Sequence, residues 1–414
     1  LVGGTFLTVA LAWPSVYVLM TYEDLYGEWL QTWLFVAVCA LGVGLARRPW
    51  RYRWFFAVLA LAAFYTVMEE ISWGQRLFGI ESPAFFAERN TQGETNLHNF
   101  LTGPESTRLK DLVEYTLASA LIGYGLLYPL ALRLGWAPAL WFDQLGAAAP
   151  PLYLCIFFVN AAVFEVGWLS FNEAEVAEIF VGTALVLMLV HYFVGGAATI
   201  GPARLDPMSG RRCAAMSLAG FALLGVLAVV TTTGFQALPG RAEATERRLA
   251  NGYEKFARRL LNYNRWEQAA DLYLRAYELE PDKAAHLQEA MDIYEASGDT
   301  AGYRRTKRLL LDATAAQVNG DDAGVKHLLM LAMNYADIDA GELAAGYLDQ
   351  ALATAKAQVA GAPETSESHF WLGRAHQQRG EYESARQAYQ QALTLEPGRG
   401  RYVLALRLLN KQMD

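Results

Sequence analysis

Charge is scarce in this 414-residue chain, and cysteine is scarcer still. Charged residues make up 18% of it, and there are three cysteines. A typical soluble domain is about a quarter charged. An apolar content of 54% excludes a chain kept disordered by polarity and charge. Three cysteines exclude a disulfide-stapled secreted scaffold. No Gly-X-Y period is present, which excludes a collagen helix. P-loop, GxGxxG, GxSxG and CxxC motifs are lacking, as is a c-type haem attachment site. The net charge of −8 is the opposite of a nucleic-acid binder's footprint, so no nucleic-acid partner is expected.

The scarcity of charge is uneven. Residues 1–238 hold 17 acidic and 12 basic side chains, about 12% charged. Residues 239–414 hold 25 and 22, about 27% charged. The first density suits a chain solvated by lipid and the second a water-solvated helical domain. The expected domains are therefore a transmembrane helical domain over 1–238 and a helical domain over 239–414.

Crossing a hydrocarbon core of about 30 Å takes roughly 20 helical residues. Seven apolar stretches approach that length, near 2–20, 30–46, 54–73, 112–132, 151–169, 176–199 and 214–236. The second needs an extra turn. The first lacks a preceding Met and a basic flank, so the numbering is expected to start inside the protein and a signal peptide is not indicated. Lys and Arg in short loops set orientation. Arg47, Arg48, Arg51, Arg53, Arg133, Arg204, Arg211 and Arg212 fall on one side, which is then cytoplasmic. An odd number of spans places the C-terminal domain opposite, in the periplasm of a Gram-negative bacterium. Arg241, Arg247 and Arg248 on that far side run against the pattern. Trp29, Trp33, Trp73 and Trp168 form an outer belt, and Trp50, Trp54, Trp136 and Trp141 an inner one. After Gly240 the stretch up to Phe256 has few helix breakers, so span 7 is expected to run almost continuously into the second domain.

The second domain repeats itself. Segment 366–399 carries Leu372-Gly373, Gly380, Tyr382, Ala385, Tyr389, Ala392 and Pro397. This pattern resembles the tetratricopeptide repeat (TPR), a 34-residue helix–turn–helix unit. The resemblance implies that Gly373, Ala385 and Ala392 allow close helix approach, that Tyr389 fills the space between helices, and that Pro397 ends the second helix. The same frame fits 250–283 and 325–358, and fits 284–317 loosely. Residues 318–324 and 357–365 read as connections, and 400–411 as a final amphipathic helix. The fold class is therefore all-α: a polytopic bundle of about seven spans followed by a TPR solenoid. Stacked repeats leave a groove that binds a peptide or protein partner. The alternative is packing against the chain's own membrane domain or a second copy, which leaves an oligomer or larger complex open.

A charge deep in a bilayer costs at least about 2.5–3.5 kcal/mol, so those present need a reason. The densest group runs through MEEISWGQRLFG and the 38-residue loop 74–111. Helical spacing puts Glu69, Ser72, Trp73 and Arg76 on one face, with Glu70 about 100° away. The loop supplies Glu94, Asn96, His98 and Asn99, and later spans add Glu165, Glu173, Glu175 and Glu178. All map to the outer side. Three readings stand: a metal site for Zn, Mn or Fe; an acid/base site with Glu70, His98 and Glu165 catalytic and Glu69, Arg76, Glu94, Asn96, Asn99, Glu173 and Glu178 binding substrate; or a network tying the loop to the bundle. The Glu69-Glu70 doublet lacks the EExxxR and FxxxH spacing of CAAX-type intramembrane proteases, because Arg76 stands two positions too far along. His191 reads as an interhelical hydrogen-bonding residue.

The leading expectation is an integral membrane protein of the bacterial inner membrane, in contact with lipid. Its periplasmic TPR domain would assemble envelope proteins. The competitor is a membrane-embedded enzyme acting on a lipid-linked or amphiphilic substrate at the outer face, with metal dependence open. A transporter ranks last, because Asn160 and His191 give too sparse a polar path.

Overall fold

The computed structural model describes residues 2–22, 24–75, 80–89, 95, 107–167, 171–195, 207–318 and 324–413. Every regular element among them is helical. The chain forms two compact units, Leu1–Gln268 and Ala269–Asp414.

The first unit opens with α1 (Val2–Ala12) and α2 (Pro14–Thr21). The single span expected over 2–20 is broken here. Pro14 restricts the residue before it, and Trp13 leaves helical geometry at φ −135°, ψ 65°. Then come α3 (Tyr26–Ala46), α4 (Arg53–Glu70), the short α5 (Ala84–Arg89) and α6 (Thr107–Ile122). A π-helical turn, Gly123–Leu127, carries α6 into α7 (Tyr128–Arg133). The unit continues through α8 (Ala137–Gln144), α9 (Cys155–Val166), α10 (Glu173–Gly195), α11 (Pro207–Gln236) and α12 (Arg241–Asn262).

Among the described residues, four segments are long and apolar enough to cross a membrane: Tyr26–Ala46, Asp111–Arg133, Glu173–Gly195 and Met208–Gln236. The first shows the extra turn that the second stretch needed. Of the remaining three stretches, 2–20 is split, 54–73 stops at Glu70, and 151–169 holds a 12-residue helix.

The four differ in what covers them. In α10, 67% of the most apolar window is buried, against 22% in α11. α10 is thus the centre of the unit and α11 its outer wall, with Leu218, Leu223, Val226 and Val230 all more than half exposed. α3 packs on α4, α10 and α11, and α9 packs on α10 and α6. Gly182 sets the α3–α10 spacing, because a Cβ there would lie 3.0 Å from Leu34 Cβ. At the far end of α10, Tyr192 packs edge-on against Trp50, Tyr52 and Phe56. Arg51 and Tyr52 both donate to Asp143, which fastens α8 to the α3–α4 turn.

α11 and α12 are not continuous. The helix stops at Gln236, and Gly240 takes a left-handed φ of +73° before α12 starts. The turn lets α12 fold back on its own unit. Its apolar stripe (Tyr253, Phe256, Ala257, Leu260) is buried, and it packs on α2. Phe256 stacks on Phe171 at 4.6 Å between centroids, and Gly252 lies against Val18 and Tyr22.

The second unit begins within α13 (Trp266–Leu279). It continues as α14 (Ala285–Ser297), α15 (Thr300–Val318), α16 (Val325–Asp337), α17 (Gly341–Gly361), α18 (Ser366–Gln378), α19 (Tyr382–Leu395) and α20 (Gly400–Met413). From α14 onward each helix packs on the next. The turns repeat as well. Gly298, Asp339 and Gly380 each hold a left-handed φ between paired helices, and Asn264 holds one just ahead of α13, a conformation that Gly, Asn and Asp tolerate best. The connection expected over 357–365 is shorter, because α17 runs on to Gly361.

Within α18–α19, Gly373 faces the ring of Tyr389, where a Cβ would fall 2.5 Å from Cδ1. Tyr389 is fully buried and donates its hydroxyl to Gln377 Oε1 at 2.7 Å. In α14–α15 the same contact is reversed: the tyrosine, Tyr294, is on the first helix and the glycine, Gly302, on the second. That exchange is why 284–317 matches the repeat frame only loosely. α20 closes the array with Tyr402 buried against Phe370, and Arg401 paired with Glu367 at 3.1 Å.

Two expected outcomes follow from this packing. Gly373→Ala overfills the α18–α19 contact and lowers stability by about 1–3 kcal/mol, whereas Gly346→Ala, with nothing within 4 Å, is neutral or mildly stabilising; urea unfolding of the two variants checks this. The second outcome concerns pH. Arg401 holds the Glu367 carboxyl below its usual range, and Arg399 with Ser366 does the same for Glu396. Their contribution is complete above the ordinary value of 4.5 and is lost as pH falls through the depressed values. Hydrogen-exchange protection of α20, corrected for intrinsic rate, should therefore fall on acidification below that point, and Glu367→Gln should produce part of the loss at neutral pH.

Candidate functional site

Acidic side chains gather at one end of the first unit because several helices start or stop there. Glu28 lies in the first turn of α3, and Glu173 and Glu175 in the first turn of α10. Unpaired N–H groups at helix starts favour carboxylates in those positions. Glu69 and Glu70 close α4, and Glu165 lies one residue from the end of α9.

Each carboxylate has neighbours that explain its place. Glu28 accepts the Asp24 backbone N–H, and Gln31 donates its amide to Glu178. Trp73 Nε1 donates to Glu69 Oε1 at 2.8 Å. Glu173, 4% exposed, accepts the Phe171 N–H at 3.2 Å. Gly167, at φ +78°, leaves room for that carboxylate, since a Cβ there would sit 3.3 Å from Glu173 Oε2. Glu70 lies in the field of Glu178, Glu28, Glu175 and Glu69. Glu178 in turn lies in the field of Glu175 and Glu165. Glu178 is thus the member that Glu70 and Glu165 share. A group of this kind can accept hydrogen bonds from a polar substrate or exchange a proton with it. Among the described residues, no three His, Cys, Asp or Glu side chains are arranged to hold a metal ion.

The structure brings together Glu69, Glu70, Glu165, Glu173 and Glu178 at this end of the unit. Arg76, Glu94, Asn96, His98 and Asn99 lie outside the described residues. The helical face expected through Glu69, Ser72 and Trp73 does not form. α4 ends at Glu70, and Ser72, Trp73 and Gly74 take positive φ values of 47°, 54° and 84°. The chain reverses there, and that reversal, not helical spacing, returns the Trp73 indole to Glu69.

Sequence reading passed over Glu28, Gln31 and Asp24. The available signal was the Glu28/Gln31 pair at i, i+3 in a helix start expected at the depth of Glu173–Glu178. Asp24, 3% exposed, pairs with Arg248 of α12. Asn172 Nδ2 donates to Thr21 O at 2.9 Å, and Tyr17 OH to Phe171 O at 3.0 Å. α12 is therefore attached to the segments that carry the carboxylates. His191 is an interhelical side chain, with Nδ1 3.2 Å from Tyr153 OH.

The family model of the tetratricopeptide repeat matches residues 366–399, so the C-terminal part carries a TPR repeat. A search of curated proteins finds no match to the chain.

The Arg248–Asp24 pair gives a test of how α12 is attached. Arg248→Ala removes the guanidinium from a buried carboxylate, a change that costs about 3 kcal/mol or more when such a pair is broken. Arg248→Ala should accelerate proteolysis at the α11–α12 turn, and adding Asp24→Asn should restore part of the protection.

Proposed function

We propose that this is an integral membrane protein whose TPR domain binds and assembles protein partners, with the first unit as its anchor. The observation that carries the reading is the TPR repeat at 366–399, since such repeats generally mediate protein–protein interaction. The paired helices and recurrent left-handed turns from α14 to α19 support extending that repeat into a solenoid over 239–414. The four long apolar helices and the exposed apolar wall of α11 support lipid around residues 1–238. In full, the proposal is a seven-span bundle in a bacterial inner membrane with the solenoid in the periplasm, joined to envelope proteins or to a second copy.

A second reading rests on a specific observation. Glu28, Glu69, Glu70, Glu175 and Glu178 stand at helix ends of the first unit, and charge among apolar helices is costly unless it has a role. That grouping supports a membrane enzyme for a lipid-linked or amphiphilic substrate, with Glu70, His98 and Glu165 exchanging protons. Arg76, Glu94, Asn96, Asn99, Glu69, Glu173 and Glu178 would then contact the substrate.

Exposed Met330 and Met333 on α16 offer an adaptable contact surface. A photocrosslinker at Met330 of the full chain in membranes should give discrete protein adducts, and Met333→Glu should reduce them. In a deletion strain, Met330→Glu/Met333→Glu should fail to complement while Glu70→Gln and Glu178→Gln complement. The reverse pattern would replace the assembly reading with the enzymatic one.

A further inference from the structure

We propose that the groove beside α7 holds one acyl chain of an anionic phospholipid, with its phosphate at Arg133. The groove has a volume of about 900 Å³, within the roughly 300–1,000 Å³ of ligand sites. Its walls are apolar: Phe55 of α4, Leu127, Leu130, Ala131 and Leu134 along and after α7, and Phe142 of α8. Two tyrosines also line it, and both hydroxyls are already engaged. Tyr124 donates to Ala148 O and Tyr128 to Ala147 O, each at 2.8 Å. The one hydrogen of each phenol is thus spent on the protein, so neither can donate to a ligand, whereas an alkyl chain requires no donor.

The concavity is built by the backbone. The π-helical turn Gly123–Leu127 inserts an extra residue into the helix, as such turns do at functional sites. Gly125 lets that turn press on Phe158, since a Cβ there would meet the ring at 2.1 Å. Gly135, at φ +72°, then turns the chain from α7 into α8, which forms the opposite wall.

The rim identifies the occupant. Trp136 and Trp141 are 61% and 55% exposed, as indoles are at the edge of a hydrocarbon layer. One wall belongs to Asp111–Arg133, a segment long and apolar enough to cross a membrane. Arg51 is occupied by Asp143. Arg133, exposed at the last turn of α7 and one helical step from Leu130, joins no ion pair among the described residues. An apolar groove lined by the Trp136 indole, with Arg133 next in the chain to the lining residue Leu134 and in no ion pair among the described residues, matches an acyl chain capped by a phosphate.

The inference rests on the reading of the first unit as membrane-embedded, and the test separates the two. The full chain is extracted from membranes and examined by native mass spectrometry with added phosphatidylglycerol or phosphatidylcholine. One lipid adduct should survive delipidation, with phosphatidylglycerol preferred about fivefold, the effect of one cation near the headgroups. Ala131→Trp should abolish the adduct. Leu134→Trp blocks the same groove from a side chain already 76% exposed, and so covers the case in which Ala131→Trp fails to fold. Arg133→Gln should keep the adduct and lose the preference. Adducts unchanged by both tryptophan variants would overturn the proposal in favour of annular lipid only. Equal retention of the two lipids by the unaltered chain would overturn the role of Arg133. Release of the chain from membranes by alkaline carbonate without detergent would instead overturn the membrane reading beneath it.

Discussion

A carboxylate among apolar helices has to find a donor, and much of the first unit follows from that requirement. Gln31 of α3 meets it for Glu178 of α10, the Trp73 indole for Glu69 of α4, and the Phe171 N–H for Glu173. Each solution ties two chain segments together at the same end. Asp24 extends the pattern to Arg248, so that α12 is drawn onto the helices that hold the carboxylates. The apolar face of α12 then closes over Phe171 and Tyr17. Polar satisfaction and apolar burial therefore act at one place.

The two ends of this unit are built on different chemistry. At the carboxylate end, charge is concentrated and its donors are mostly side-chain amides, an indole and backbone N–H groups. At the other end, aromatic rings pack around Tyr192, and Arg51 and Tyr52 clasp Asp143. The groove beside α7 belongs to this second end and has almost no unsatisfied polarity. The TPR repeat, an acidic group and an apolar groove thus occupy separate parts of the chain. Their functions can be dissected by separate substitutions.

The repeat at 366–399 was legible because its constraints are local. Gly373 and Tyr389 stand 16 residues apart in two adjacent helices, and a glycine opposite an aromatic ring reads the same in sequence and in space. The site was legible only by composition. Costly charges could be counted at a given depth, and Glu69, Glu70, Glu165, Glu173 and Glu178 emerged that way. Which of them meet depends on how α3, α4, α9 and α10 are arranged around one another, and no local spacing encodes that. Gln31 was missed because its partner, Glu178, is 147 residues away in the chain. The helical face through Glu69, Ser72 and Trp73 failed for a related reason. Left-handed residues at Ser72 and Trp73 are uncommon for those residue types and are imposed by their surroundings.

The amino-acid sequence by itself determined the all-helical class, the division into charge-poor and charge-rich material, and the TPR repeat at 366–399. These are properties of composition and short-range period, which each segment carries alone. Tertiary structure decided where helices end, which carboxylates share neighbours, and that α12 turns back at Gly240 onto α2. It also decided that a π-turn and two glycines open a groove beside α7. Those outcomes depend on contacts between residues far apart in the chain, where steric fit and hydrogen-bond satisfaction override local preference.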